Sequence, residues 1–187
     1  GVLTISYLIV LSVLVIYGLH RYWLVYLFKR YGRDALTIKE MLPLVEDYET
    51  HKNKTQKSNL PAVTVQIPMF NEQYVAKRVI EAACEIDYPK ELLQIQVLDD
   101  STDCSAQVSK DVCDNMRAAG HNIQFIHRDD RTGFKAGALE EGITQASGEL
   151  IAVFDADFIP NKDILLRTVA YFNDSEIGMV QVRWGHI

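Results

Sequence analysis

Ala62-Val63-Thr64-Val65-Gln66-Ile67-Pro68-Met69-Phe70-Asn71-Glu72 is the stretch that decides the fold. Its first six residues are rich in β-branched side chains, which suit a pleated strand, and Pro68 stops the run. Behind it, Ala76, Val79, Ile80 and Ala83 recur at helical spacing and mark one apolar helix face. The unit of strand, polar turn and helix then repeats. Ile95-Gln96-Val97-Leu98 ends in Asp99-Asp100-Ser101-Thr102-Asp103, and Val108, Val112, Met116 and Ala119 form the next stripe, with Gly120 as its C-cap. Ile123-Gln124-Phe125-Ile126 is followed by the stripe Ala136, Leu139, Ile143 and Ala146. Leu150-Ile151-Ala152-Val153 runs into Phe154-Asp155-Ala156-Asp157. A helix through Leu165, Val169 and Phe172 then precedes a fifth strand at Met179-Val180-Gln181-Val182. This alternation predicts an α/β domain with a mainly parallel sheet and right-handed crossovers.

Ligands of such sheets bind beyond the carboxyl ends of the strands. Phe70-Asn71-Glu72, Asp99-Asp100 and Asp155-Asp157 each follow a strand, so all three clusters converge on one edge. Each has a plainer reading. Asn71, Glu72, Asp99 or Asp100 could cap a following helix, and Asp155 and Asp157 could sit in a solvated acidic loop. Side chains alternate along extended chain, so Asp155 and Asp157 share a side. Two hard oxygen donors there suit Mg²⁺ or Mn²⁺ carrying a diphosphate. The segment Arg128-Asp129-Asp130-Arg131-Thr132-Gly133-Phe134-Lys135-Ala136-Gly137 brings cations and glycines to the start of a helix, where anions are favoured. Lys135 opposes the helix dipole in that first turn, which points to another duty such as meeting a phosphate.

The N-terminal part is of another kind. The 187 residues are 48% hydrophobic with a net charge of −6, but that average mixes two unlike segments. Residues 2–19 carry no charge, and apolar character resumes at Tyr22-Trp23-Leu24-Val25-Tyr26-Leu27-Phe28. At about 1.5 Å per residue, such a helix reaches ~40 Å and spans a bilayer with tilt. Tyr22, Trp23 and Tyr26 suit an interfacial belt; Lys29, Arg30 and Arg33 then place the following domain in the cytoplasm. A secretory signal is not expected, since no basic start and no small-residue cleavage site flank the run. Gly1 stands where an initiator Met is expected, so the chain reads as part of something longer. The expected organisation is a transmembrane helix at 1–30, a connector at 31–60 and an α/β domain at 61–187. The connector is expected to hold a short interfacial helix broken at Pro43, then a solvated polar stretch at 51–59.

Ile67-Pro68-Met69-Phe70-Asn71-Glu72, Val97-Leu98-Asp99-Asp100-Ser101-Thr102-Asp103, Gly133-Phe134-Lys135-Ala136-Gly137-Ala138-Leu139 and Phe154-Asp155-Ala156-Asp157, in that order, closely resemble the inverting glycosyltransferases of family 2, in the cellulose synthase and cellulose synthase-like branch. Gln181-Val182-Arg183-Trp184 looks most like the mannan and glucomannan synthase-like members and their bacterial relatives. The resemblance implies a GT-A fold that binds a nucleotide-diphospho-sugar, of UDP-glucose or GDP-mannose type, on the cytoplasmic face of a plasma or Golgi-type membrane. It implies that Phe70, Glu72, Asp99 and Asp100 surround the nucleoside, that Lys135 serves base and diphosphate, and that Asp155 and Asp157 hold Mg²⁺ or Mn²⁺. The acceptor is expected to be a polysaccharide or lipid-linked sugar; membrane lipid is a partner and nucleic acid is not. The general base of this family lies in a Thr-Glu-Asp motif followed by Gln-x-x-Arg-Trp. Neither follows Asp157 here, so no catalytic residue is assigned and these residues alone are not expected to transfer sugar.

Other readings are a single-transfer dolichyl-phosphate-sugar synthase-like enzyme and a membrane-anchored, non-catalytic nucleotide-binding module. A haloacid-dehalogenase-like phosphatase would carry its Asp-x-Asp after the first strand, and a receiver domain has no second Asp-x-Asp. Cys84, Cys104 and Cys113 lack metal spacing and read as free thiols. The five scattered His residues are not expected to bind metal.

Overall fold

The structure, a computed structural model, describes residues 1–31 and 60–182. The chain divides into two compact units, Gly1–Leu42 and Pro43–Ile187. Among the described residues of the first, one helix, α1 (Val2–Tyr31), is long and apolar enough to cross a membrane, and most of its apolar side chains are exposed. Its two serines bond back along the helix, Ser6 donating to Val2 O at 3.1 Å and Ser12 to Leu8 O at 2.8 Å. Basic Lys29 and Arg30 close the helix. The expected interfacial helix and polar stretch at 32–59, and Arg183, Trp184 and His186, lie outside the described residues.

Among the described residues of the second unit, four parallel strands form one sheet: β1 (Val63–Met69), β2 (Leu93–Asp99), β3 (Ile123–His127) and β4 (Leu150–Val153), in the order β3-β2-β1-β4. The intervening helices are α2 (Ala76–Cys84), α3 (Ser105–Ala118) and α4 (Phe134–Thr144). A fifth helix, α5 (Ile164–Thr168), runs on into a 3₁₀ turn at Val169–Asn173. The chain works outward from β1 to β3, then returns to the far side of β1 for β4, creating a switch in strand order beside β1.

Parity of the strands sorts the sheet into two unlike faces. Val63, Val65 and Ile67 of β1, with Ile95 and Val97 of β2, are buried against Val79, Ile80 and Ala83 of α2 and Val112 and Cys113 of α3. Leu165, Leu166, Phe154 and Ala156 complete that core. The opposite face is polar. Gln66 and Gln96 are register partners, and the Gln66 amide donates to Gln96 Oε1 at 3.0 Å; Thr64 donates to Gln94 Oε1 at 2.8 Å. Helix α4 covers this face with its smallest residues. A Cβ on Gly142 would stand 2.5 Å from Gln66 Nε2 and 2.9 Å from Leu98, so only glycine permits the approach.

Three expectations are corrected here. The stripe Ala136, Leu139, Ile143 and Ala146 does not form the buried face of α4; Ala138 and Gly142 do, while Ala136 and Ile143 are exposed. The surface beneath Gly142 is Gln66 beside Leu98, approached so closely that small size decides which side packs. Helix α3 similarly buries Ser105, Ser109, Val112 and Cys113, leaving Ala119 exposed. Finally, Met179-Val180-Gln181-Val182 forms no strand: Met179 is exposed, and β-branched residues need a paired neighbour to become one.

Pro68 did not end β1, which continues to Met69. The backbone of Gln66 faces β4, since Phe154 N donates to Gln66 O at 3.0 Å, and Pro68, two residues on, faces the same way. The β4 ladder ends at Gln66, paired with Val153. The missing N–H of Pro68 therefore removes no ladder bond.

Candidate active site

The carboxyl ends of β1 and β2 are stitched together by short polar side chains. Asp100 N donates to Met69 O at 3.0 Å, Asn71 N to Ser101 Oγ at 2.9 Å, and Thr102 N to Asn71 Oδ1 at 3.0 Å. Asn71 adopts a positive φ of 56° to make this crossing, a conformation asparagine tolerates. It therefore caps no helix; α2 begins at Ala76 with Val75 before it. Nor do Asp99 and Asp100 cap α3. The N-cap position is Cys104, and the free N–H of Ser105 behind it is met by Asp103 at 2.9 Å; the Ser105 hydroxyl and N–H hold that carboxyl below the usual range.

Asp99 is fully buried. Its oxygens accept from Ser101 N, Ser101 Oγ and His127 Nδ1, each at 3.0 Å. Asp99 thus acts from below, fixing Ser101 and the end of β3. Asp100 is also buried, and Arg128 forks onto it with Nε to Oδ1 at 2.8 Å and Nη2 to Oδ2 at 2.7 Å. The remaining Arg128 donors reach Thr132 O at 3.3 Å and Phe134 O at 3.1 Å. One guanidinium therefore ties β2 to the whole loop before α4, and the Asp100 carboxylate raises the affinity of Arg128 for its proton.

That loop is tightly specified. Asp130 accepts from Thr132 N at 2.9 Å and from its hydroxyl at 2.7 Å. Gly133 and Phe134 both take positive φ, 74° and 51°. For a bulky aromatic this is strained, and such strain gathers at functional sites. Phe134 is exposed, and Arg131 stands between two rings, its Cζ 3.3 Å from the centroid of Phe70 and 5.3 Å from that of Phe134. Glu72 is half-buried at the same edge.

Beyond β4, Phe154 and Ala156 enter the core while Asp155 and Asp157 face outward, as alternation required. Lys135, in the first turn of α4, forms an ion pair with Asp155. Among the described residues, no group of three or more His, Cys, Asp and Glu side chains is placed to cage a metal. Two carboxylates nevertheless fit Mg²⁺ or Mn²⁺, because such ions keep waters and take one or two carboxylates plus substrate phosphates. The structure thus ties Asp99 to Ser101 and His127, Asp100 to Arg128, Phe70 to Arg131, and Lys135 to Asp155. Sequence reasoning missed His127 and the roles of Arg128 and Arg131; the register pairing of Asp99 with His127 is a long-range fact that strand patterns alone do not reveal.

A parallel sheet with this strand order, and acids and cations meeting at its carboxyl edge, is a GT-A-type domain. The chain belongs to glycosyl transferase family 2, whose profile matches residues 64–187. It is similar to glucomannan 4-beta-mannosyltransferase 7 of Arabidopsis thaliana, 46% identical over 132 residues, covering 68% of this chain and 24% of that protein. Glucomannan 4-beta-mannosyltransferase 9 of the same plant is 40% identical over 163 residues, 84% of this chain and 30% of the relative. Among solved structures, a mannosyltransferase from Pyrobaculum calidifontis in complex with GDP-Man and Mn²⁺ superposes with a TM-score of 0.59 at 26% identity, over 74% of this chain and 41% of that one. The chain spans about a quarter of the length of the curated relatives it matches.

Proposed function

We propose that this chain is the donor-binding part of a membrane-tethered glycosyltransferase that takes a hexose from a nucleotide-diphospho-sugar and adds it, with inversion, to a β-linked polysaccharide. The observation that carries this reading is the meeting of Lys135 with Asp155 at the switch in strand order. Both side chains are about half exposed there, so neither is committed to the core.

In this reading Phe70, Glu72 and the Asp99-Asp100 network surround the nucleoside. Asp155 and Asp157 would hold Mg²⁺ or Mn²⁺, which when bound neutralises the departing diphosphate as a Lewis acid. Lys135 turns from Asp155 to the same diphosphate oxygens and supplies a positioned positive charge as negative charge builds there. The structural relative solved with GDP-Man and Mn²⁺ supports this donor class, and the relatives' names favour a polysaccharide over a lipid-phosphate acceptor. Lys29 and Arg30 at the end of α1 favour a cytoplasmic placement of the domain, at a plasma or Golgi-type membrane.

Calorimetric titration of the full chain in detergent micelles with GDP-mannose and UDP-glucose, with and without Mn²⁺, tests the site. Metal-dependent binding is expected, and it should vanish when Asp155 and Asp157 are both replaced by Ala. Metal dependence that survives this double substitution would sink the assignment.

A further inference from the structure

We propose that Arg131 reads the base of the donor and selects guanine over uracil, an inference that rests on the donor-site reading above. Three neighbouring cations are each engaged with a carboxylate: His127 with Asp99, Arg128 with Asp100, and Lys135 with Asp155. Arg131 is instead held by rings, lying against Phe70 and close to Phe134. Its Nε is enclosed and has no hydrogen-bond partner among the described residues. An enclosed N–H without an acceptor loses its water and gains nothing in return. Here that donor sits on the residue covering Phe70, the aromatic at the end of β1.

The turn presents Arg131 in a fixed place. Asp130 locks the chain after it through Thr132, and Arg128 grips the carbonyls of Thr132 and Phe134. The strained φ of Phe134 is maintained by that grip, so loop and ring are preset before any ligand arrives.

A base seated on the face of Phe70 displaces the guanidinium from the ring to the base's edge. Guanine offers O6 and N7 side by side, two acceptors that match the fork of a guanidinium; on the corresponding edge uracil offers O4 beside C5–H. Guanine satisfies both donors of the fork, the enclosed Nε–H and a neighbouring Nη–H, whereas uracil satisfies one and leaves the other short. Arg131 is thereby a specificity-determining residue, distinct from Lys135, whose charge serves any nucleoside diphosphate equally.

The test is titration of the full chain in micelles with GDP and with UDP, each with Mn²⁺, for the unsubstituted protein, Arg131→Ala and Arg131→Lys. The unsubstituted protein should favour GDP. Arg131→Ala should lose GDP affinity by roughly 10- to 100-fold, the discrimination of one bidentate base contact, while UDP affinity changes by less than about threefold. Arg131→Lys should not restore it, since an ammonium cannot form the fork. Equal weakening for both nucleotides would assign Arg131 to the diphosphate and overturn the inference, as would unchanged affinities or a native preference for UDP. Failure of the unsubstituted chain to bind either nucleotide would remove the donor-site reading itself, and this inference with it.

Discussion

Lys135 and Asp155 are 20 residues apart in sequence, yet the return of the chain from β3 to β4 makes them an ion pair. The pair is about half exposed, so it contributes little to the fold, on the order of 0–1 kcal/mol. Its importance is positional, because it keeps a cation beside the two acids of the β4 edge.

Lys135→Ala should therefore leave urea stability within about 1 kcal/mol of the parent. Nucleotide-sugar affinity should fall by roughly tenfold or more, the usual worth of a charge-assisted contact. Mn²⁺ alone, followed by electron paramagnetic resonance, should bind slightly tighter, because Lys135 no longer competes for Asp155. A large stability loss with unchanged affinity would make the pair merely structural.

Arg128 and Asp100 present the opposite case. Their side chains are 16% and 4% exposed, and the contact is bidentate. Arg128→Ala leaves a buried carboxylate unpaired and frees two loop carbonyls, so it should cost about 3–5 kcal/mol by chemical denaturation. Hydrogen exchange should rise at Thr132 and Phe134 before it rises in the strands. A loss below about 1 kcal/mol would mean that Asp100 finds another partner.

Strand positions were legible because Val63, Val65, Ile67, Ile95 and Val97 are apolar at alternate positions facing the buried core, and the acids that follow them mark the strand ends. The inward side of α4 was not legible. Its partner surface, Thr64, Gln66 and Gln96, belongs to strands 30 or more residues apart in sequence and becomes a polar layer only through register. The same holds for His127, which needs β3 beside β2 before it meets Asp99. Met179 to Val182 failed for the converse reason: local composition favoured a strand, but pairing partners are a property of the sheet. The acidic clusters could be read early because each lies at a strand end, where the switch-point rule applies without knowledge of side-chain contacts.

The thiols should separate sharply by reactivity. Burial raises Cys84 from 9.0 to about 11 and Cys113 to about 12, whereas Cys104 is exposed with its Sγ 2.9 Å from Gln73 Oε1. At pH 8 an alkylating reagent should label Cys104 in the native chain and reach the other two only after unfolding. The linkage has a definite sign. Both folded-state values lie above the unfolded 9.0, so the folded chain keeps protons that the unfolded chain releases, and stability falls as pH rises from about 9 toward 11–12. Replacing Cys84 and Cys113 with Ala should flatten that alkaline decline in urea midpoints measured from pH 8 to 10.5; an unchanged slope would place the effect elsewhere.

Gly137 offers the most local control on the donor loop. A Cβ there would stand 2.1 Å from Thr132 O, a backbone atom held in turn by Arg128, so the clash cannot be relieved by a side-chain rotation. Gly137→Ala should therefore push the loop away from α4, at about 1–3 kcal/mol, the usual cost of overpacking. Because Lys135 and Arg131 lie on either side of the displaced turn, nucleotide affinity should fall further than the stability loss alone would cause. Gly120→Ala serves as the comparison: its φ of 87° carries backbone strain, but no atom lies within 4 Å of the added Cβ, and it lies beyond α3, away from the loop. It should lower stability while leaving nucleotide affinity at the parent value, and equal effects of the two substitutions on affinity would show that Gly137 matters only for folding.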